Sequence, residues 1–263
     1  MSDEGRWERA LVTGASEGIG EEFARRLAGR GCEVVLVARR RKRLEELAVE
    51  LGEGAEVLPA DLTDPDQVRR VEARLEDTER PVDLLVNNAG SELEHRPFLE
   101  RDRESVAAEA YLNAIAVLRL THAGARAMAV RGGGSVINMS SGIAFYPVPG
   151  SPTYGASKAF VSSLSEALDY DLRDTGVRVT AICPGFTRTR VQDRLGFNLD
   201  AVPRRFWSFP EEVVEAALSA AARGRPLENV TRLGSVNAFF GRHLPHRMWL
   251  PRVARFQARL GGS

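Results

Sequence analysis

The sequence predicts an α/β protein: a doubly wound, Rossmann-type parallel sheet with helices on both faces. Three observations carry this prediction. Short apolar runs alternate with longer amphipathic stretches along most of the chain, and strand–helix alternation leads to parallel pairing through right-handed crossovers. The runs are continuously apolar, as strands covered on both faces have to be. The first run empties into a glycine-rich turn, Thr13-Gly14-Ala15-Ser16-Glu17-Gly18-Ile19-Gly20, just ahead of a helical pattern.

Taken in order, Ala10-Leu11-Val12 is the first strand and Gly20 to Arg30 the first helix. Val34 to Ala38 is a β-branched run after Gly31, followed by a helical pattern from Arg41 to Leu51. Val57-Leu58 ends at Pro59, and Val82 to Val86, Ser135 to Met139 and Val177 to Cys183 continue the series. Two longer helical stretches run from about Arg103 to Ala129 and from about Pro152 to Asp174. Val230 to Val236 is expected to supply a final strand, and a helix is expected from Pro251, with proline in its first position. Residues 1–263 are expected to form a single domain, with 190–210 as a lid over a cleft and 236–263 as an irregular, basic amphipathic tail.

Composition narrows the possibilities. On 263 residues, 43% hydrophobic and 27% charged content suits a sizeable globular core. The formal net charge is zero, so no global field steers the protein toward nucleic acid, and no nucleic-acid partner is expected. No apolar stretch is long enough to span a bilayer, and the polar start Met-Ser-Asp-Glu-Gly-Arg is unlike a secretion signal. The expected location is cytoplasmic. Cys32 and Cys183 sit in apolar runs without metal-site spacing; they read as core residues, and no metal is expected. Lys42 and Lys158 are the only lysines, so the second half of the chain holds a single one.

Glycines at 14, 18 and 20 would let backbone approach a pyrophosphate closely, while the following helix offers free N–H groups and a positive dipole end. The spacing is Gly-x-x-x-Gly-x-Gly, longer than the general dinucleotide fingerprint. A tight connection that binds nothing is the alternative. The position after the first strand of an alternating pattern favours nucleotide binding. The second strand ends Val37-Ala38-Arg39-Arg40, with Arg41 and Arg43 beyond. A carboxylate there would hold the ribose hydroxyls of NAD. Arginine instead offers a planar fork suited to a 2′-phosphate. Arg39 first and Arg40 second are the expected phosphate contacts, giving NADP(H) preference over NAD(H); Arg41 and Arg43 read as solvated helix face.

Tyr154 and Lys158 are four apart in a helical stretch and so share one face. A tyrosine with a pKa near 10 is a poor acid–base catalyst at neutral pH, and a neighbouring ammonium is expected to lower it. Ser141 closes the strand Val136 to Ser140, where ligands of open parallel sheets bind. Taken singly, these could be a half-buried aromatic, a surface cation and a loop cap. Their joint occurrence in register with the glycine turn favours chemistry.

With Asp61-Leu62, Asn87-Asn88-Ala89-Gly90, Asn113 and Pro184-Gly185 in order over roughly residues 7 to 190, the sequence resembles the compact single-domain branch of the short-chain dehydrogenase/reductase family. The resemblance implies an NAD(P)-dependent enzyme moving a hydride between nicotinamide and a carbonyl or secondary alcohol. It implies Tyr154 as acid in reduction and base in oxidation, Lys158 as its tuner and a ligand of the nicotinamide ribose, Ser141 as holder of the carbonyl oxygen, and Asn113 as anchor of a relay water. Gly14, Ser16, Gly18, Ile19 and Gly20 would cradle the cofactor. Asp61 and Leu62 would border the adenine, and Asn88, Ala89 and Gly90 the adenosine ribose. Pro184, Gly185, Phe186, Thr187 and Thr189 would sit beside the carboxamide. Asn87 and Asn88 are also good turn formers, and Asn113 also reads as a satisfied buried amide. Pairing through the two long helices, as a homodimer or homotetramer, is a further implication. Cys183 stands where the family often has asparagine, and Glu17 where NADP-preferring relatives often carry a basic residue.

Leu195, Phe197, Val202, Phe206, Trp207 and Phe209, with Tyr146, Pro147 and Val148, suggest an apolar cleft wall and hence a hydrophobic substrate, although such residues also pack cores. Two other functions remain open: a non-catalytic dinucleotide-binding redox sensor or scaffold, and a sugar-nucleotide epimerase, for whose longer C-terminal domain the chain has little room. After Glu228 there is no acidic residue, while Arg232, Arg242, Arg247, Arg252, Arg255 and Arg259 are interleaved with Phe239, Phe240, Trp249 and Phe256. The tail reads as a helix packed on its own domain or a neighbouring subunit, with Val253, Phe256 and Leu260 on one face. A lid over the cleft and a weak peripheral contact with anionic membrane are the alternatives.

Overall fold

A computed structural model describes residues 7–93, 96–188, 202 and 207–260. The strands in chain order are β1 (Arg9–Thr13), β2 (Glu33–Ala38), β3 (Ala55–Pro59), β4 (Leu84–Asn87), β5 (Gly134–Met139), β6 (Val177–Cys183), β7 (Phe186–Thr187), β8 (Trp207–Ser208) and β9 (Leu227–Asn229). Seven of them form one sheet in the order β3-β2-β1-β4-β5-β6-β9, and β7 pairs with β8 in a separate short ladder. Every pairing in the large sheet is parallel. The helices are α1 (Gly18–Ala28), α2 (Arg41–Leu51), α3 (Pro65–Leu75), α4 (Arg103–Ala110), α5 (Ala116–Val130), α6 (Pro152–Asp171), α7 (Pro210–Ala222), α8 (Arg232–His243) and α9 (His246–Leu260).

Two cores sandwich the sheet because successive strand side chains point to opposite faces. Ala10, Val12, Val34, Leu36, Leu84 and Val86 face one side, where Phe23 and Leu27 of α1, Leu44 and Leu47 of α2 and Val213 and Val214 of α7 close over them. Leu11, Val35, Val37, Leu85 and Val136 face the other, under Val68, Val71 and Leu75 of α3 and Leu120 and Met128 of α5. A fully buried side chain of this size contributes about 1.5–3 kcal/mol. The strands therefore read as unbroken apolar runs because each has two interiors to fill.

The carboxyl ends of the large-sheet strands open onto one edge. β1 lies between β2 and β4, the point where the winding of the chain reverses and where ligands of such sheets bind. The stretch expected as one helix from about Arg103 carries a π turn at Tyr111–Ile115, a feature often found at functional sites.

The C-terminal quarter departs from expectation. The last strand is Leu227–Asn229, not Val230 to Val236. The Thr231 hydroxyl accepts the Gly234 amide at 2.9 Å and starts α8 there. The other tail helix begins at His246, with Pro251 inside it rather than at its first position; the proline removes one helical hydrogen bond. The tail is thus two helices rather than irregular. α8 buries Ala238 and brings Gly241 so close that a Cβ there would lie 2.8 Å from the Tyr146 ring. Phe256 of α9 meets Phe186 edge-on, with ring centroids 6.0 Å apart. No helix among the described residues is long and apolar enough to cross a membrane. Of the expected lid, Leu195, Phe197 and Phe206 lie outside the described residues; Val202 is buried.

Candidate active site

A cleft of about 480 Å³ runs along the carboxyl edge of the sheet. It gathers Gly14, Ser16, Gly18 and Ile19 from the first turn, Arg39 and Arg40 from the end of β2, and Asp61 and Leu62 from the end of β3. Asn88, Ala89 and Gly90 follow β4, Ser141 follows β5, and Pro184, Gly185 and Thr187 follow β6, with Tyr154 and Lys158 reaching in from α6. Three expected residues are off its wall. Gly20 packs α1 onto the strand, Asn113 is fully buried behind the wall, and Phe186 meets Trp207 at a tilt with ring centroids 5.8 Å apart. Thr189 lies outside the described residues. Among the described residues, no cluster of His, Cys, Asp and Glu could hold a metal.

The glycine turn is shaped to admit a ligand. Gly14 and Gly18 have φ of 68° and 59°, the left-handed region that favours glycine. A Cβ on Gly20 would fall 2.3 Å from the Gly14 carbonyl oxygen, and one on Gly14 2.8 Å from the Asn88 amide nitrogen. Thr13 ties the turn to β4: its hydroxyl accepts the Asn88 and Ala89 amides, each at 2.9 Å, while Asn88 Nδ2 donates to the Thr13 carbonyl at 2.9 Å. Bare backbone and the N-terminus of α1 therefore face the cleft, which fits a pyrophosphate. Arg40 is already engaged, donating to the Ser16 hydroxyl at 3.0 Å and pairing with Glu17 at 3.0 Å. Arg39 is exposed on the cleft wall and has no side-chain partner among the described residues. Asp61 Oδ1 accepts the Thr63 amide and hydroxyl at 3.0 and 2.8 Å, which locks the turn after β3.

At the reacting end Lys158 is buried while Ser141 and Tyr154 are half-buried. Lys158, 3% exposed, donates to the Met139 carbonyl at 2.8 Å, and its ammonium lies 5.5 Å from the Tyr154 ring centroid. Ser141 caps the short 3₁₀ turn Gly142–Phe145 that follows β5. The expectation that Lys158 holds Tyr154 below its ordinary value is not met. Burial, with the Glu92 charge behind it, pushes the Tyr154 phenol up to about 12, and a hydrogen bond from Ser141 only partly offsets this. Burial likewise pulls the Lys158 ammonium down to about 8. The largest cause is the same for both: loss of water disfavours whichever form carries charge.

Asn113 sits in the π turn with its amide fully used inside the fold. Its Oδ1 accepts the Ser91 amide at 3.0 Å, and its Nδ2 donates to the Ser91 and Glu109 carbonyls at 2.8 and 3.0 Å. A Cβ on Gly90 would lie 2.6 Å from Asn113 Oδ1 and 3.1 Å from Lys158 Nζ, so only glycine lets these groups converge.

Sequence reasoning missed three charged groups here. Glu92 lines the cleft although it is only 7% exposed. Behind it, Arg101 and Glu109 form an ion pair at 2.8 Å with side chains 2% and 0% exposed. Glu109 also accepts the Leu93 amide at 2.8 Å. Tyr146 and Val148, expected on the cleft wall, instead pack against Gly241 and Gly155.

A family model described as short chain dehydrogenase matches residues 8–198. A serine 3-dehydrogenase of Agrobacterium fabrum is 38% identical over 192 residues, 73% of this chain and 77% of that protein. A solved short-chain dehydrogenase from Sphingobium yanoikuyae, in complex with NADPH, is similar at 34% identity and a TM-score of 0.79, over 95% of this chain and 94% of that one. An alcohol dehydrogenase from Comamonas testosteroni, described as specific for bulky-bulky ketones, is similar at 32% identity and a TM-score of 0.76, over 96% and 94% of the two chains.

Proposed function

The chain belongs to the short-chain dehydrogenase/reductase family, and from that premise we propose that it is an NADP(H)-dependent oxidoreductase acting on a carbonyl or secondary alcohol. The observation that carries the proposal is the convergence of Ser141, Tyr154 and Lys158 on the cleft that also holds the bare glycine turn. When bound, the nicotinamide supplies or accepts the hydride. The side chains do the rest. Ser141 holds the substrate oxygen beside the phenol. Tyr154, protonated at neutral pH, gives its proton to that oxygen in reduction and takes it back in oxidation. Lys158, anchored on the Met139 carbonyl, keeps two donors for the nicotinamide ribose and for Tyr154. Asn113 acts from behind, fixing Ser91 and the approach of Lys158, and the relay water expected of it would sit on this inner side.

Arg39 is the proposed 2′-phosphate ligand, since its guanidinium has no partner among the described residues whereas Arg40 is braced by Ser16 and Glu17. A hydrophobic body for the substrate is supported by Leu93, Leu112 and Met139 on the wall. Assembly through the long helices is supported by Ile115 and Phe160, exposed at 41% and 39%. The direct test is Tyr154→Phe. NADPH-coupled turnover of a carbonyl panel should fall by about 10²–10⁴-fold while NADPH still binds. An active Tyr154→Phe variant would remove the tyrosine from the chemistry.

A further inference from the structure

We propose that Glu92 is a positioning residue for Tyr154: its carboxylate takes the hydroxyl of Ser151 and thereby fixes the first turn of α6, on which the reacting phenol stands. The inference rests on the oxidoreductase reading above and adds a residue to its chemistry.

The contact joins two elements far apart in the chain. Glu92 follows β4, Ser151 immediately precedes α6, and both are buried. Ser151 donates its hydroxyl to Glu92 Oε1 at 2.8 Å. A serine ahead of a helix ordinarily turns its oxygen onto an amide of the first turn. Ser151 makes no such capping bond; its hydroxyl goes to Glu92 instead. Its backbone is tied as well, the amide donating to the Val148 carbonyl at 3.2 Å and the carbonyl accepting the Gly155 amide at 2.9 Å. Tyr154 is three residues further on, so whatever fixes Ser151 fixes the start of the turn that carries the phenol.

Glu92 is a firm place to tie to. Asn113 grips the neighbouring Ser91 through both its amide and its carbonyl, and the Leu93 amide donates to Glu109, itself paired with Arg101. The same loop carries Gly90, close beside Lys158 Nζ, so one loop sets the place of both Tyr154 and Lys158. In such a geometry a displacement of about 1 Å can cost about 10²-fold in rate. The bond also fixes where charge stands. Around the phenol are Glu92 from the loop after β4, Glu109 from α4, the Ser141 hydroxyl after β5, and Lys158 on α6 itself. Both carboxylates oppose the phenolate, so removing the Glu92 charge lets the phenolate form at lower pH.

The test uses the full chain and four variants: Glu92→Ala, Ser151→Ala, the two combined, and Glu92→Gln, whose amide oxygen still accepts a serine hydroxyl. NADPH affinity near the wild-type value shows that each is folded, and Ser151→Ala, which removes one oxygen, carries the test alone if Glu92→Ala does not fold. In NADPH-coupled carbonyl reduction, Glu92→Ala and Ser151→Ala should each lower kcat about 10- to 100-fold with KM little changed. The double variant should be no worse than either, and Glu92→Gln should recover most of the loss. In alcohol oxidation, the rise of rate with pH should move to lower pH in Glu92→Gln and stay in place in Ser151→Ala. Hydrogen exchange of the Gly155 amide, which needs no turnover, should be faster in Glu92→Ala and Ser151→Ala than in wild type. Wild-type kcat in Ser151→Ala, losses that multiply in the double variant, or a pH limb unmoved in Glu92→Gln overturns the proposal. A wild type that binds NADPH but reduces no carbonyl would count against the oxidoreductase reading; the Gly155 exchange then decides the positioning by itself, and unchanged exchange overturns it.

Discussion

Tyr154 and Lys158 are one helical turn apart on α6, the tyrosine half-buried and the lysine buried, and loss of water moves each toward its uncharged form. For Tyr154 the sign is simple. A phenol pushed up to about 12 is protonated throughout the neutral range, so the acid needed for carbonyl reduction is present there. Oxidation needs the phenolate, which grows as pH rises toward that value. Reduction is expected to be nearly flat between about pH 6 and 8, and alcohol oxidation to climb with pH; kcat/KM measured in both directions checks this. Oxidation that slows as pH rises across that window would contradict it. At this scale the sequence disclosed the pairing of Tyr154 with Lys158, because a four-residue spacing is a property of any helix. It did not disclose the direction of the Tyr154 shift, which depends on how completely tertiary structure removes water. Glu92 was missed for a related reason: it sits in a loop with no periodicity, and its burial is set by Ser151, 59 residues further on.

At the scale of elements, the reacting end is positioned by the loop after β4 and by the π turn between α4 and α5. The Arg101–Glu109 pair fixes both, since Glu109 takes the Leu93 amide through its side chain and the Asn113 amide through its carbonyl. Arg101→Ala would leave a fully buried carboxylate without its cation. It should cost about 3–5 kcal/mol of stability, read by urea unfolding, and a change below about 1 kcal/mol would mean that the pair is dispensable. Elements were most legible where packing leaves little choice: β2 and β6, covered on both faces, could only be apolar runs. They were least legible at the edge. β9 is short and half-buried, so Leu227–Asn229 gives a weak signal. The valines at 230 and 236 drew the assignment downstream, although Thr231 is a good helix cap. Pro251 misled in the same way, because proline inside α9 looks from sequence like a helix start.

At the scale of the whole molecule, the parallel order with β1 beside β4 brings seven strand ends to one edge, six of them bordering the cleft, and the cleft follows from that topology. The fold was therefore readable from alternation, and the glycine turn at the cleft from its spacing. The substrate-facing half was not, because it depends on the chain after β6 and on helices packed back from the C-terminus. The proposed pairing would cover Ile115 and Phe160, which are exposed on the two long helical stretches. Light scattering at micromolar concentration should return the mass of a dimer or tetramer, and a monomer would refute pairing through these faces.

Binding of NADP(H) in this cleft for hydride transfer, with Arg39 reading the 2′-phosphate, is the proposal on which the rest depends. Its most direct test is a calorimetric titration of the purified protein with NADPH and NADH side by side, repeated on Arg39→Ala. NADPH should bind at least about 10-fold more tightly than NADH, and Arg39→Ala should erase most of that difference while leaving NADH affinity unchanged. Equal or tighter binding of NADH would reverse the cofactor assignment, and binding of neither would contradict the account as a whole.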